Sequence, residues 1–346
     1  MIYIDGSSKL GSGTILRYSV ALSSLLGEAV HISNIRVRRK KPGLRPQHLA
    51  SVAACAQMCG AKVEGATVDS TEIIFKPGSQ IKGGSYEWKI GTAGSTTLMV
   101  MTLLPIALYA NGNSVFRISG GLFQDFAPSA HHMQNVLFPT LARMGIKARL
   151  EIIRPGYMPK GGGIIQVRME PLNKNIKSLQ LHRQGKVTEL GGISISSHLK
   201  QQRVSKRMAD ECQKILADEG YHALIEHLWD KTALQAGASL AVWAKTDTQC
   251  ILGSDEAGKR GRSSEEIGRY VATNLLADLK TGATVDRFLA DQLIIYAALA
   301  EGVTEYILPF VTEHVETNLW LVEKFGASTH LGDKVLHIKG LGYVHS

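Results

Sequence analysis

The feature that most constrains this chain is a pattern stated three times. Helix-like runs opened by glycine begin at Gly13 ("GTILRYSVALSSLLG"), Gly94 ("GSTTLMVMTLLPIALYANG") and Gly282 ("GATVDRFLADQLIIYAALAEG"). Each is followed by a strand-like run ("VHISNIRV", "VFRISGG", "EYILPFV"), an irregular loop, and a second apolar helix closed by Gly60, Gly145 or Gly326. Two short strands complete each unit: "AKVEGA" and "EIIFKPG", "IKARLEII" and "GIIQVRM", "ASTHLG" and "VLHIKG". Opening-to-closing glycine spans of 47, 51 and 44 positions fit one supersecondary block used three times. A period that switches between 3.6 and 2 within each block predicts helices packed on sheets.

The closing glycines also expose an insertion. Gly60 to Gly145 is 85 positions and Gly145 to Gly326 is 181, so about 96 extra residues interrupt the third unit. That stretch has its own helix pattern ("QRVSKRMADECQKILADEG") and strand patterns ("HALIEHL", "SLAVWAKT", "QCILGSD"), enough for a folded unit rather than a linker. The expected organisation is α/β (α+β): a discontinuous large domain, residues 1–182 and 281–346, with a smaller α/β domain, residues 183–280, inserted in the third repeat. At 346 residues with 44% hydrophobic composition, the chain can fill a large core and a smaller one.

No apolar stretch approaches the ~20 residues of a membrane span, and "MIYIDGSSKLGSG" lacks the charged-then-apolar order of a signal peptide. The expectation is a cytoplasmic protein with no membrane partner. Cys55, Cys59, Cys212 and Cys250 are too scattered for a disulfide framework and are expected as reduced core residues.

Three equivalent strand-to-helix loops hold the unusual residues. Residues 36–45, "RVRRKKPGLR", carry six cations and no acid, followed by Gln47 and His48. A net charge of +9 favours a polyanionic partner. A solvated loop would explain the run; phosphate binding explains it better, because arginine offers paired donors to phosphate oxygens and Pro42-Gly43 forces an exposed turn. The second loop is "GGLFQDFAPSAHH" and the third "VTEHVETN". In a pseudo-threefold fold such loops can share a centre, which would make Arg39, Pro128 and His314 neighbours. At a strand-to-helix junction, His314 is a cap, a buried hydrogen-bonding residue or a nucleophile. There is no G-x-x-x-x-G-K-[ST] loop and no H-E-x-x-H, and "GSGTILR" is too short to read as a dinucleotide fingerprint.

Seven segments, "IDGSSKLGSGTILR", "IRVRRKKPGLRPQHLA", "CGAKVEGA", "IGTAGSTTL", "GYMPKGGG", "FLADQL" and "TEHVETNL", occur in the order found in the RNA 3'-terminal phosphate cyclases. The chain resembles that family from end to end, least in the insertion. The resemblance implies three βαβαββ repeats and ATP-dependent conversion of an RNA 3'-phosphate to a 2',3'-cyclic phosphate, through a histidine-AMP adduct on His314. It also implies a nucleotide site at Phe288, Leu289, Ala290, Asp291 and Gln292, with Phe288 and Pro128 on opposite faces of the base, and Gly13, Arg17 and Met101 alongside. Arg36, Arg39, Gln47 and His48 match positions toward the phosphates and the RNA end. ATP, a divalent cation (magnesium or manganese) with ligands unassigned, and RNA bearing a 3'-terminal phosphate are the implied partners; a homodimer stays open.

Two departures stand out. Leu10 occupies the place of an acid, and Met101 that of a glutamine that contacts ATP. They keep a second expectation in play, a catalytically impaired cyclase-like RNA-binding protein of RNA processing or ribosome assembly. A small-molecule transferase on a related repeat fold would leave the basic loop and His314 without a role.

Overall fold

The computed structural model describes residues 1–344. It opens with β1 (Ile2–Asp5), α1 (Gly13–Leu26), β2 (Val30–Ser33), α2 (Pro46–Cys59), β3 (Lys62–Glu64) and β4 (Ile73–Lys76). Next come β5 (Gly84–Lys89), α3 (Thr96–Ala107), β6 (Ser114–Gly120), the short helix α4 (Ala130–His132), a wider π turn (Met133–Leu137), α5 (Phe138–Arg143), β7 (Ala148–Arg154) and β8 (Gly163–Met169). A two-residue strand, β9 (Gln180–Leu181), precedes β10 (Val187–Ser197), α6 (Val204–Asp218), β11 (Ala223–Asp230), β12 (Gly237–Thr246), β13 (Ile251–Ala257) and α7 (Ser264–Lys280). The chain ends with α8 (Leu289–Gln292), α9 (Ile294–Leu299), β14 (Val303–Ile307), α10 (Glu313–Lys324), β15 (Ser328–Gly332) and β16 (Val335–Lys339).

Four four-stranded sheets result: β1-β2-β4-β3, β5-β6-β8-β7, β9-β14-β16-β15 and β11-β10-β12-β13. In the first three, the opening pair is parallel and the other pairings are antiparallel. In the third, the parallel pair β9 and β14 joins chain segments that flank the fourth sheet.

Local chemistry explains the boundaries. Ser95 accepts a hydrogen bond from Leu98 N (3.1 Å) and Thr312 from Val315 N (3.1 Å), so both helices start on a side-chain cap. α1 and α2 end on Gly27 and Gly60, both in the left-handed region (φ 70° and 68°). Every residue of α3 except Leu98 is buried, which marks a helix enclosed on all sides. α1 packs against α2, α3 and α10, and the apolar faces of the sheets close around them. All four cysteines are buried and unpaired.

Two expectations need correction. The run from Gly282 is not one helix. Ile307 N donates to Thr284 Oγ1 (2.8 Å) and Thr284 N to Ile307 O (3.0 Å), holding this segment against β14. Asp286 Oδ1 then accepts from Phe288 N and Leu289 N, and only there does helix begin. The strand expected over "VHISNIRV" stops at Ser33, because Asn34 and Arg36 turn into left-handed backbone (φ 52° and 56°). No helix among the described residues is long and apolar enough to cross a membrane.

Candidate nucleotide site

A cleft of about 820 Å³ opens where loops of the first three sheets meet the edge of the fourth. That volume suits a nucleotide-sized ligand. Arg17, Met101, Pro128, Phe288, Asp291, Gln292 and His314 all line it. Leu289 and Ala290 are core residues behind the wall. Gly13, Arg36, Arg39, Gln47 and His48 lie outside the lining.

His314 is the second residue of α10 and reaches the water of the cleft. Enclosure by the walls, then the positive charges of Arg17 and Arg39, lower its pKa below the usual histidine value, against a weaker opposing pull from Glu313. The helix N-terminus adds positive potential of the same sense. A ring held in this way is neutral at pH 7, with its nitrogen lone pair free to react.

The residues beneath it are tightly set. Arg17 is buried, donates from Nη2 to Thr14 Oγ1 (3.3 Å), and keeps its charge although burial brings its pKa down to about 10. A Cβ on Gly13 would lie 2.3 Å from His48 Nε2 and 3.0 Å from Arg17 Nη1, so glycine is what lets these side chains approach α1. His48 Nδ1 accepts from Arg45 N (3.0 Å), and burial together with Arg17, Arg36 and Arg45 pushes its pKa to about 3, leaving it neutral. Gln47 Oε1 accepts from Ser95 N (3.3 Å) beside the start of α3.

Asp291 has the most consequential titration. Burial first, and then the charge of Asp286, raise its pKa to about 7, while Asn318 Nδ2 donates to Oδ2 (3.2 Å). A carboxyl that is half ionised near neutrality can accept a proton or ligate a cation. The described residues hold no group of three or more His, Cys, Asp or Glu arranged for a metal. Asp291 is a carboxylate on the cleft wall that could hold a divalent ion or its waters. Leu10 does not line the cleft; its N donates to Thr317 Oγ1 (3.3 Å) and its O accepts from Arg39 Nη2 (3.2 Å), which ties the glycine-rich loop to α10 and the basic loop.

The basic run is less free than its composition suggests. Arg36 donates from Nη1 to Lys41 O (2.9 Å) and Gly43 O (2.7 Å), bracing its own loop. Arg45 pairs with Asp69. Arg38, Arg39, Lys40 and Lys41 are exposed and have no carboxylate partner among the described residues.

Sequence reasoning missed the wall contributed by the fourth sheet. Arg262 forks onto Asp125 (Nη1 to Oδ1 2.9 Å, Nη2 to Oδ2 3.2 Å) and also pairs with Glu256. Lys259 reaches Asp125 as well (3.1 Å). Asp255 Oδ2 accepts from Ser129 N (2.6 Å). These contacts pin the loop that carries Pro128. The dense charge in "DEAGKRGR", Asp255 to Arg262, was the available signal.

Together these features define a mixed α/β protein with a large loop-built cleft lined by a histidine whose pKa is lowered. Residues 8–330 match the family description "RNA 3'-terminal phosphate cyclase". The chain is 38% identical over 347 residues to the RNA 3'-terminal phosphate cyclase of Pyrobaculum aerophilum, covering 99% of each chain. It is 39% identical over 341 residues to that of Pyrococcus furiosus, covering 98% of this chain and 96% of that one. With that of Thermococcus kodakarensis the identity is 41% over 327 residues, 94% and 92% of the respective chains. The chain belongs to the RNA 3'-terminal phosphate cyclase family.

Proposed function

We propose that this protein uses ATP to convert an RNA 3'-terminal phosphate into a 2',3'-cyclic phosphate, with His314 as the nucleophile. The observation that carries the reading is His314 itself, a neutral imidazole open to a cleft that Pro128, Phe288 and Arg17 also line. In the first step a ring nitrogen attacks the α-phosphorus of ATP; an N–P bond forms and pyrophosphate leaves with its electron pair. Arg17 balances the growing charge. In the second, an oxygen of the RNA 3'-phosphate attacks the same phosphorus, the N–P bond breaks, and an RNA-adenylate anhydride results. In the third, the adjacent 2'-hydroxyl attacks the RNA phosphorus, loses its proton and expels AMP. Proximity makes this step fast, since the nucleophile is already in the substrate.

Phe288 and Pro128 hold the two faces of the base, Gln292 supplies an amide at the wall, and Asp291 meets the metal-nucleotide complex. The exposed cations of the 36–45 loop receive the RNA. Residues 183–280 act as an inserted domain, a division supported by β9 closing the third sheet at Leu181 and α7 ending at Lys280.

The test is covalent labelling. Incubation with α-labelled ATP and a divalent cation is expected to label the protein with release of pyrophosphate. The bond should be acid-labile and alkali-stable, as befits a phosphoramidate, and His314→Ala should take up no label. An unlabelled wild type, or equal labelling of His314→Ala, overturns the mechanism.

A further inference from the structure

We propose that the end of the fourth sheet beside the cleft is a second RNA surface, where the Trp229 ring stacks a base and Lys200, Arg203, Lys231 and Arg260 hold phosphates of the strand behind the 3' end. This rests on the reading of RNA as the substrate and adds where the body of that RNA lies. β10 and β11 run parallel, and β12 runs against both β10 and β13, so the loops that leave β10, β11 and β13 share one end of the sheet. That end closes the cleft, which Ser239, Ala257, Lys259 and Arg260 line. The register carries the same end across to Trp229, which lies opposite Ser196 and through it Ala238, whose O accepts from Gly258 N (2.8 Å). Three strand spacings, about 14 Å, separate β13 from β11. Ser194 Oγ donates to Ser205 O, so Ser194, Ser196 and Trp229 share the α6 face, while Ser197 meets Tyr157 OH (2.9 Å) on the face toward the repeats. A strand leaving the cleft therefore passes over the loops at this end to reach the ring.

Trp229 is 43% exposed on an outer strand, although an indole is ordinarily among the more buried side chains. The Lys200 ammonium lies 5.0 Å from its ring centroid, and the His227 ring stands 5.1 Å away at a 55° tilt. An exposed lysine over an indole can swing to a phosphate as a base takes its place on the ring. The loops around it are braced. His198 Nε2 donates to Ala233 O (2.7 Å), joining the loops after β10 and β11, and Lys160 N donates to Gln235 Oε1 (2.9 Å), joining them to the loop before β8.

The charge of this end is unbalanced, because its acids are already engaged. Asp125 is held by Lys259 and Arg262, Glu256 by Arg262, Glu265 by Arg207 and Asp210 by Lys206. Glu266 Oε2 accepts from Ser263 N, and Asp230 turns into its own loop, accepting from Ser197 Oγ, Thr232 N and Ala233 N. Lys200, Arg203, Lys231 and Arg260 are exposed, and among the described residues none pairs with a carboxylate. Unpaired cations around an open aromatic ring suit a single strand, whose backbone they neutralise and whose bases are free to stack. A duplex keeps its bases stacked on one another and has none to offer the ring.

The experiment measures equilibrium binding of 3'-phosphorylated single-stranded RNAs of about 4 and about 12 nucleotides, with enzyme-AMP formation from ATP followed alongside. Wild type is expected to bind the longer RNA about tenfold or more tighter than the shorter. Trp229→Ala should lose about tenfold on the longer RNA and little on the shorter. Lys200→Ala with Lys231→Ala should make the salt slope for the longer RNA shallower by about 1.4, and adduct formation should be unchanged in both variants. Wild type that binds both lengths equally overturns the proposal, whether or not a variant folds. A folded Trp229→Ala, shown by a cooperative melt, that keeps the wild-type advantage of length also overturns it. So does an equal gain with an RNA duplex, which would be charge attraction without stacking. A length effect that depends on Trp229, in a protein that takes no label from ATP, would leave this surface standing and remove the proposed chemistry; labelling and cyclisation without such an effect do the reverse.

Discussion

Beside Phe288 the chain buries a carboxylate and bonds it inside the protein, whereas around Arg39 it holds its cations out to water. Asp286 shows the first style. It is fully buried, and it accepts from Phe288 N, Leu289 N, Gly253 N (2.7 Å) and His132 Nε2 (3.2 Å), joining three chain segments at one carboxylate. The 36–45 loop shows the second, with Arg38, Arg39, Lys40 and Lys41 exposed. Nucleotide chemistry needs a base and an α-phosphorus fixed to within a fraction of an ångström, which buried bonds provide. A flexible polyanion needs attraction without one fixed pose, which solvated cations provide.

The largest expected effect lies on the buried side. Asp286→Ala leaves three backbone donors and His132 without their acceptor, and breaking a buried pair of this kind costs about 3–5 kcal/mol. Against a total of about 5–15 kcal/mol, that is expected to shift the urea midpoint sharply and to weaken nucleotide binding with it. A loss under about 1 kcal/mol would erase the contrast between the two regions.

On the exposed side the effect should fall on function and spare the fold. Arg38→Ala with Lys40→Ala is expected to reduce RNA 3'-phosphate turnover about tenfold or more, while formation of the enzyme-AMP adduct changes far less. With two phosphate contacts gone, the slope of log K for single-stranded RNA against log salt should become shallower by about 1.4. Equal loss in both steps would move the loop's role to the nucleotide or to the fold.

The smallest effect is a displacement along the pH axis, and it connects the regions. Adenylylation needs neutral imidazole, so its rate rises as pH climbs through the His314 pKa. Because that pKa is lowered by enclosure, Arg17 and Arg39, the rate at pH 6 should exceed the quarter or so of its plateau that an ordinary histidine near 6.5 would retain. Arg39→Ala should move the midpoint upward. A second limb near pH 7 would belong to Asp291, and Asp291→Asn should remove it. A midpoint at or above 6.5 in the wild type would mean that the basic loop does not act on the nucleophile.

Much of this was written in the order of residues, because caps and closing glycines act locally. Ser95, Thr312, Gly60 and their like announce helix ends within a few positions. The convergence of Arg17, Pro128, Phe288 and His314 was legible through the repeat and the family resemblance. What stayed hidden depends on partners far away in sequence. Asp286 lies in an amphipathic run that reads as helix, and its fate is decided by Gly253 and His132, 33 and 154 positions distant. Arg36 looks like a phosphate ligand by composition, and only the left-handed turn at its own backbone directs its guanidinium to Lys41 O and Gly43 O. The charge-dense run Asp255 to Arg262 signalled a working surface, but its place on the cleft wall depends on Asp125 and Ser129, more than 120 positions away.

The pairing of β9 with β14 bears on how the protein is made. Leu181 leaves the ribosome about 120 residues before Val303, and every residue of the fourth sheet is translated between them. At ~5–20 residues per second, β9 waits roughly 6–24 s for its neighbour. In that interval the fourth sheet can fold on the nascent chain and shorten the loop that must close. The histidine at the start of α10 emerges later still, so the cleft it lines is not complete until synthesis is almost finished.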